Sequence, residues 1–325
     1  MTVRALLGSA RVYAIPMRTR FRGIALREGI VLSGPAGWGE FCPFAEYGVA
    51  EAASWLATAV EAATVGWPDP VRDRVPVNCI VPAVEPEQAA RIVRGSGCRT
   101  AKVKVADHAT SLGEDVARVE AVRDALGPVG RIRVDANAAW DADTAVAALA
   151  ALSTAAGGLE YAEQPCRTLD ELAGVRRRVD VPIAADESIR RSADPLRVSL
   201  AEAADVAVIK CTPLGGVRRA LRVAEATGLP CVVSSALETS VGLAAEVALA
   251  GALPDLGFAC GLDTLSLLDG DLVAEPLRPR DGWIAVPRTP PAPAPELLDR
   301  YEPADLGRRR WWLGRLEQAA ARLPA

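Results

Sequence analysis

The sequence predicts an α/β protein: a (β/α)8-type, TIM-like barrel with a small α+β capping domain formed by the N-terminal segment and the C-terminal tail. Eight short apolar runs follow one another between residues 77 and 260, separated by alanine-rich stretches with helical spacing. Alternating strands and helices are typical of a parallel sheet, and eight strands favour closure into a barrel. The 325 residues, 50% of them hydrophobic, suffice for a barrel and a smaller domain. An open doubly wound sheet is disfavoured, because no glycine-rich dinucleotide-binding motif follows the first run.

Residues 1–75 are predicted to form the capping domain. Two strands, Val3–Pro16 and Gly23–Ser33, are joined by Met17–Arg22, a tip too polar and basic to belong to a core. Gly37–Phe41 predicts a third strand, whose glycines suit a bulge or a close backbone approach. Apolar residues then recur at helical spacing over Val49–Val65 before glycine and proline end the helix. The cap is therefore expected to be an antiparallel sheet with one clear helix.

Residues 76–270 are predicted to form the barrel, and residues 271–325 are predicted to form a segment that returns to the cap and barrel. The predicted strands are Val77–Val81, Ala101–Val105, Arg131–Val134, Leu159–Ala162, Pro182–Ala185, Val206–Ile209, Cys231–Val233 and Phe258–Cys260. The predicted helices include Ser111–Leu126, Ala142–Leu152, Leu169–Arg178, Gly216–Thr227 and Val241–Ala252. In the last segment, Pro290–Pro295 predicts a stiff connector. Arg308–Trp312 predicts a helix that packs its tryptophans on the cap or barrel, rather than one that binds nucleic acid or membrane.

Composition excludes several classes of protein. The net charge of −4 gives no general attraction to nucleic acid or anionic membranes, and no apolar run is long enough to span a membrane. Seven scattered cysteines without a C-x-x-C pair argue against disulfides and zinc, so we expect a reducing compartment, the cytoplasm. The only histidine, His108, falls in a predicted surface loop, which leaves no Ser-His-Asp site. The oligomeric state stays open, with a monomer among the options.

Two lysines alternate on one face of the second predicted barrel strand. In Ala101–Val105 the valines point to one side, and Lys102 and Lys104 to the other. If the valines face the helices, both lysines face the barrel interior, where an ammonium group without partners loses its proton. The alternative is an exposed edge strand with a solvated lysine face.

Further charged residues stand at the ends of the next four predicted strands. Asp135, followed by Asn137, ends the third strand, Glu163 the fourth, Asp186 the fifth and Lys210 the sixth. The carboxyl ends of barrel strands meet at one rim, where three carboxylates repel one another unless a cation lies between them. Oxygen ligands without cysteine or histidine favour Mg²⁺, with Mn²⁺ as a substitute.

These residues together resemble the enolase superfamily, in particular its muconate-lactonizing-enzyme-like branch. The resemblance covers nearly the whole chain, since Gly37-Trp38-Gly39-Glu40 is similar to the motif that closes the capping sheet in that branch. Within the branch, several segments look most like the o-succinylbenzoate synthase family: Val134–Trp140, Glu163–Pro165, Ala185–Ser188, Ile209–Lys210 and Ser234–Ser240. One departure is the single cap helix between Glu40 and Val75, where relatives usually carry a longer helical segment.

The resemblance implies syn dehydration of 2-succinyl-6-hydroxy-2,4-cyclohexadiene-1-carboxylate to 2-succinylbenzoate in menaquinone biosynthesis. A Mg²⁺ ion held by Asp135, Glu163 and Asp186 would stabilise the enediolate, a pattern long described for this superfamily. Lys104 would remove the α-proton and then assist departure of the hydroxyl group, while Lys210 would act as a cation across the substrate. A neutral lysine near pH 7 needs its pKa depressed by about 3 units, or about 4 kcal/mol. Lys102 and the metal are the expected causes.

Substrate contacts are predicted from loop positions. Ser234, Ser235 and Leu237 follow the seventh strand, where hydroxyl and backbone N–H groups suit the succinyl carboxylate. Arg20, in the basic tip of the cap, is expected to face the substrate, and Asn137 lies at a strand end beside the predicted metal ligands.

Three rival functions are weighed against the synthase. A racemase of N-succinylamino acids, or a dipeptide epimerase, would use Lys104 and Lys210 as bases on opposite faces of its substrate. A class I aldolase needs a Schiff-base lysine but no trio of carboxylates. A barrel that only binds a ligand needs neither the lysines nor the carboxylates.

Overall fold

The computed structural model describes residues 6–200 and 202–323. Its cap is a three-stranded antiparallel sheet in the order β1-β2-β3, followed by helix α1. These elements are β1 (Arg11–Phe21), β2 (Ile24–Gly34), β3 (Gly37–Phe41) and α1 (Val49–Thr64). The three predicted strands and the helix are therefore present, but the first strand begins at Arg11, not at Val3. Leu6 and Leu7 are helical and Gly8 and Ser9 form a turn, while Val3 itself lies outside the described residues.

The tip between β1 and β2 differs from the prediction. Met17–Arg22 was expected to be a loop, but β1 continues to Phe21, which pairs with Ile24 after a shift in register beyond Pro16. Only Arg22 and Gly23 form the turn, and both have positive φ angles, 51° and 78°. The pair Phe21–Ile24 lies directly beside this two-residue turn, so polar composition alone was a poor guide to a loop here.

The glycines of β3 allow the close approach expected from the sequence. A Cβ atom on Gly39 would lie 2.0 Å from the carbonyl oxygen of Ala59 in α1. No side chain fits at that distance, so α1 lies directly against the sheet.

A curled parallel sheet of seven strands forms the barrel, in the order β11-β10-β9-β8-β7-β6-β5. Its strands are β5 (Cys79–Val81), β6 (Thr100–Lys104), β7 (Arg131–Asp135), β8 (Tyr161–Glu163), β9 (Ile183–Ala185), β10 (Val206–Ile209) and β11 (Cys231–Val233). The helices of the barrel are α2 (Pro86–Ser96), α3 (Leu112–Leu126), α4 (Ala142–Ala156), α5 (Leu169–Arg176), α6 (Glu187–Arg190), α7 (Cys211–Leu214), α8 (Val217–Thr227) and α9 (Ser240–Ala252). Sequence neighbours pair in parallel throughout, as the alternating pattern predicted.

The predicted eighth strand, Phe258–Cys260, is reduced to isolated bridges. Cys260 bridges Val77 on one side, and Gly261 bridges Ser234 on the other. Cys260 N donates to the carbonyl of Pro76 at 2.7 Å, and Gly261 N donates to that of Val233 at 2.8 Å. Because each side offers only one aligned pair, this segment closes the ring without forming a full strand.

The remaining elements lie outside the barrel sheet. They are β4 (Arg74–Pro76), its antiparallel partner β12 (Trp283–Ala285), α10 (Pro295–Tyr301), α11 (Leu306–Ala320) and two 3₁₀ turns, Pro195–Arg197 and Thr264–Leu267. Trp312 of α11 is buried edge-on against Phe41 of the cap, with 6.2 Å between ring centroids. Trp311 stays 38% exposed beneath the guanidinium group of Arg308. The C-terminal helix thus packs on the cap as predicted, with one of its two tryptophans. The domain limits at residues 75 and 270 stay predictions.

Within the described residues, no helix is both long and apolar enough to cross a membrane. All seven cysteines are free thiols.

Candidate active site

The charged residues predicted at the strand ends lie close together. Lys102 Nζ is 3.0 Å from Asp135 Oδ2 and 2.9 Å from both carboxylate oxygens of Glu163. All three side chains are buried. Strand β6 lies between β5 and β7, so an exposed edge strand with a solvated lysine face is excluded.

Lys104 occupies the mouth of the barrel. Its Nζ lies 2.5 Å from Asp135 Oδ2, 2.5 Å from Asn137 Oδ1 and 5.2 Å from the ring centroid of Phe21. Asn137 adopts a left-handed conformation (φ 46°), which lets its backbone N–H donate to Asp135 Oδ1 at 3.0 Å. The loop after β7 therefore orients Asn137 toward Lys104.

The balance between burial and neighbouring charges separates the pKa values of the two lysines. Burial lowers the pKa of Lys104, with Asp135 opposing this effect and the charge of Lys102 adding to it. Burial also acts against the charge of Lys102, but Asp135 and Glu163 outweigh it and raise the pKa of Lys102 well above its ordinary value. Loss of water is thus the first cause of the lowered pKa of Lys104, as expected for an ammonium group that faces the barrel interior, and the charge of Lys102, also named from the sequence, adds to it.

A second cluster lies on the other side of the barrel mouth. Lys210 Nζ is 2.5 Å from Asp186 Oδ2, and the other oxygen of Asp186 accepts from Arg190 Nε at 3.0 Å. Arg190 also donates to Glu187 Oε1 at 2.6 Å and to the hydroxyl oxygen of Tyr47, in the cap, at 2.8 Å. Sequence analysis missed Arg190, although its position four residues after Asp186, in the short helix α6, offered a signal.

The three carboxylates suit a hard divalent cation by chemistry. Asp135, Glu163 and Asp186 are at most 1% exposed. Burial, followed by the charge of Asp135, raises the pKa of Glu163 to about 7, which indicates more negative charge than this interior tolerates well. No three acidic, histidine or cysteine side chains of the described chain are already arranged to hold a metal. Lysine ammonium groups now contact the carboxylate oxygens. These oxygens are the ligands that Mg²⁺ prefers, and they become available to it once the contacts with lysine lengthen.

The space between the lysines is a small cavity. Its volume is about 40 Å³, and Phe21, Arg22, Asn137 and Pro213 are among its lining residues. A cavity of this size holds a few water molecules, at about 10–15 Å³ each. A six-membered ring therefore enters only after side chains at its edge move. Arg22 is one of these edge residues: its side chain is exposed, and its guanidinium group lies 4.3 Å from the ring centroid of Phe44.

Arg20 is not among the residues that line this cavity. Its Nε donates to the carbonyl of Gly23 at 3.1 Å, and it lines a neighbouring depression that it shares with Lys104 and Asn137. The alternation of β1 explains the difference, because Phe21 is turned inward and Arg20 is exposed. The structure thus brings Phe21 and Arg22 to the cavity, and a contact between Arg20 and substrate stays a prediction.

The loop after β11 lines the cavity with Ser234, Ser235 and Leu237, and their contact with substrate stays a prediction. The hydroxyl of Ser235, however, donates to Glu238 Oε2 at 2.6 Å, and its oxygen accepts from the N–H of Leu237 at 3.0 Å. Ser235 has one hydroxyl proton, so in this arrangement it has none left for a substrate carboxylate. Ser234 Oγ lies 3.5 Å from the carbonyl of Gly261, a long contact. The predicted hydroxyl donors are therefore turned toward protein acceptors.

Two buried charges of the cap hold this loop. Arg27 donates to the carbonyl of Leu237 at 2.8 Å and to that of Ala236 at 3.2 Å. Glu40, from the sheet-closing motif, accepts from the N–H of Thr239 at 3.1 Å and from that of Gly242 at 2.8 Å. Sequence analysis missed Arg27 because its two partners in this loop lie more than 200 residues away. The cap is thus bonded directly to the loop that borders the cavity.

Comparison with known proteins places this arrangement in a family. Residues 85–290 match the family described as Enolase C-terminal domain-like, and residues 12–63 match Enolase N-terminal domain-like. The muconate lactonizing enzyme from Pseudomonas putida has the same fold, with a TM-score of 0.74 and 22% sequence identity, over 90% of this chain and 98% of that one. The chain therefore belongs to the enolase superfamily, whose members generally use a divalent metal, usually Mg²⁺.

Two relatives narrow the assignment. The o-succinylbenzoate synthase of Thermobifida fusca is 66% identical over 280 residues, which cover 86% of this chain and 88% of that protein. The o-succinylbenzoate synthase of Mycobacterium tuberculosis (strain H37Rv) is 54% identical over 316 residues, 97% of this chain and 94% of the relative. Within the superfamily, the chain belongs to the o-succinylbenzoate synthase family, which confirms the resemblance seen in the sequence.

Proposed function

We infer that this chain is a hydro-lyase that converts 2-succinyl-6-hydroxy-2,4-cyclohexadiene-1-carboxylate to 2-succinylbenzoate, a step of menaquinone biosynthesis. One observation carries the inference: Lys104 and Lys210 border one cavity in a chain 66% identical to an o-succinylbenzoate synthase. Both lysines stand at the carboxyl ends of barrel strands, where such barrels carry their chemistry.

Lys104 is the acid and base of the proposed reaction. As a neutral amine it removes the proton from the ring carbon that bears the carboxylate. The resulting ammonium group returns a proton to the departing hydroxyl on the same face, water leaves, and the ring becomes aromatic. Burial of Lys104 supports this role, because a lowered pKa makes the neutral amine more abundant near neutral pH.

Lys102 and Lys210 are proposed to remain charged. The carboxylates of Asp135 and Glu163 raise the pKa of Lys102 and favour its ammonium form beside them, where it would still orient both carboxylates after its contacts lengthen to admit the metal. Lys210, fixed by Asp186, presents positive charge to the substrate from across the cavity. Asn137 orients Lys104 through its side-chain oxygen.

Asp135, Glu163 and Asp186 are the proposed ligands of the metal. When bound, Mg²⁺ supplies positive charge against the carboxylate that becomes an enediolate. Lys102 donates to Glu163 and Arg190 donates to Asp186, and these hydrogen bonds restrict the movement of the two carboxylates.

The experiment follows product formation by wild type, Lys104→Ala and Lys210→Ala with synthetic substrate. We expect Lys104→Ala to lose essentially all dehydration. The chain contains only three lysines, Lys102, Lys104 and Lys210. A ¹⁵N-lysine-labelled sample therefore gives three side-chain signals, and the signal lost in Lys104→Ala should titrate at a lower pH than that of Lys102. Full activity of Lys104→Ala would refute the assignment.

Racemisation of N-succinylamino acids is the second candidate function. The observation that favours it is that Lys210 borders the same cavity as Lys104, so a substrate between them meets an amine on each side. An assay for exchange of the α-hydrogen in D₂O, run with both enantiomers, tests this activity independently of dehydration.

We further propose that the chain works in the reducing cytoplasm, which its seven free thiols support. Cell fractionation tests this location. The oligomeric state stays open.

A further inference from the structure

A wide groove adjoins the small cavity between the lysines. Its volume is about 1060 Å³, and it shares Arg22, Asn137 and Arg190 with the cavity lining. The two spaces are therefore neighbours, with the side chain of Arg22 at their boundary. A dissolved ligand that reaches the cavity by this route passes through the groove first.

Arginine dominates the groove lining. We call it the basic groove, defined by Arg22, Arg167, Arg190, Arg191 and Arg197. The same lining contains a single carboxylate, that of Glu187. The whole chain has a net charge of −4, so this concentration of positive charge is not a general property of the surface.

Most of this charge is not neutralised locally. Arg190 pairs with Asp186 and Glu187, and Arg191 lies 3.6 Å from Glu51. Across residues 6–200 and 202–323, no carboxylate comes within 4.0 Å of the guanidinium groups of Arg22, Arg167 or Arg197. These three side chains are exposed, so they can meet an anion without first breaking an ion pair.

The depression on the other side of the tip is less suited to an anion. Its lining includes Arg20 and Asp107, whose charges offset each other, and Lys104, which already contacts Asp135. Arg22 belongs to both linings. The basic groove therefore carries more positive charge than this depression, mainly because it contains Arg167, Arg191 and Arg197.

We propose that the basic groove is the capture site for a dicarboxylate, through which the substrate approaches the cavity. The proposal rests on the proposed function, whose substrate carries two carboxylates. Arg167 and Arg197 attract the dianion at a distance, and Arg22 takes over one carboxylate at the boundary. Like-signed charges along a cleft raise the rate of encounter and the local concentration of an oppositely charged ligand, and salt screens both effects.

The test compares two double variants that each remove two positive charges. Arg167→Ala/Arg197→Ala changes the basic groove, whereas the control Arg91→Ala/Arg94→Ala changes exposed arginines of α2, outside the linings of groove and cavity. At an ionic strength of about 0.02 M, where screening extends over roughly 20 Å, we expect kcat/KM of the groove variant to fall about 10-fold. Its kcat should stay unchanged, and the deficit should vanish near about 0.5 M salt, where the Debye length is about 4 Å.

Charge rescue and direct binding complete the experiment. Arg167→Lys/Arg197→Lys should recover most of kcat/KM, because it keeps the charge. Calorimetric titration with 2-succinylbenzoate should show the same dependence on salt and on the groove arginines. Equal kcat/KM and equal binding of 2-succinylbenzoate for the groove and control variants at every salt concentration would overturn the proposal. That result would overturn it even if the groove were found to bind an acidic protein. A wild-type chain that binds the dicarboxylate through these arginines but does not dehydrate the substrate would refute the proposed function and leave the capture site standing.

Discussion

Replacement of Glu40 by alanine should strongly destabilise the protein. The carboxylate is fully buried between cap and barrel, where it accepts hydrogen bonds from the hydroxyl of Tyr13, both the N–H and hydroxyl of Thr239, and the N–H of Gly242. Alanine leaves these four donors without that acceptor. A buried donor left unpaired costs about 1–3 kcal/mol, so at the low end of this range we expect the free energy of unfolding to fall by about 4 kcal/mol.

Urea denaturation followed by tryptophan fluorescence measures this effect, since Trp312 is buried against Phe41 beside Glu40. Glu40→Gln keeps one carbonyl acceptor and should lose less stability than Glu40→Ala. Glu120→Ala, an exposed position of α3, is the control and should change the free energy of unfolding by less than about 0.5 kcal/mol. If Glu40→Ala lowered the free energy of unfolding by less than about 1 kcal/mol, water would satisfy these donors, and Glu40 would not hold the cap to the loop after β11.

Three further predictions concern activity. Chelation should abolish turnover and Mg²⁺ should restore it, and Asp186→Asn should be nearly inactive but folded by circular dichroism; full activity in excess EDTA would remove the metal from the mechanism. Lys210→Arg should retain some dehydration if the larger group fits, but no two-base racemisation, because arginine stays protonated; wild-type racemisation in both directions by this variant would refute the opposed-base geometry. Arg22→Ala should lower kcat/KM, with a loss of transition-state stabilisation of roughly 1–3 kcal/mol, because a charge-assisted contact is lost. Arg20→Ala should do the same only if the tip moves on binding. Unchanged kcat/KM in either variant would exclude that residue as a substrate contact.

The strand-end residues were predictable because their positions depend on local patterns. Alternation placed Lys102 and Lys104 on one face, and parallel pairing brings Lys104 beside Asp135 and Asp135 beside Glu163 in register. Any chain that forms these strands in this order must bring those side chains to one rim. The site could therefore be outlined before its geometry was known.

Other features escaped sequence analysis for physical reasons. Arg27 contacts carbonyl groups more than 200 residues away, and such backbone acceptors leave no mark in a sequence. The polar composition of the tip suggested a loop, but pairing with Ile24 extends β1 to Phe21 and so exposes Arg20. The direction of the Ser235 hydroxyl depends on Glu238, three residues on, and only folding of the loop brings the two together.

The sequence by itself determined the barrel, the order of its strands and the set of lysines and carboxylates at their ends, because hydrophobic periodicity and parallel connections are local properties of the chain. Only the tertiary structure decided which groups are free to act. Burial lowers the pKa of Lys104, whereas the paired carboxylates of Asp135 and Glu163 raise that of Lys102. Desolvation and distances between charges exist only once distant segments pack together, so two lysines on the same short strand acquire opposite properties.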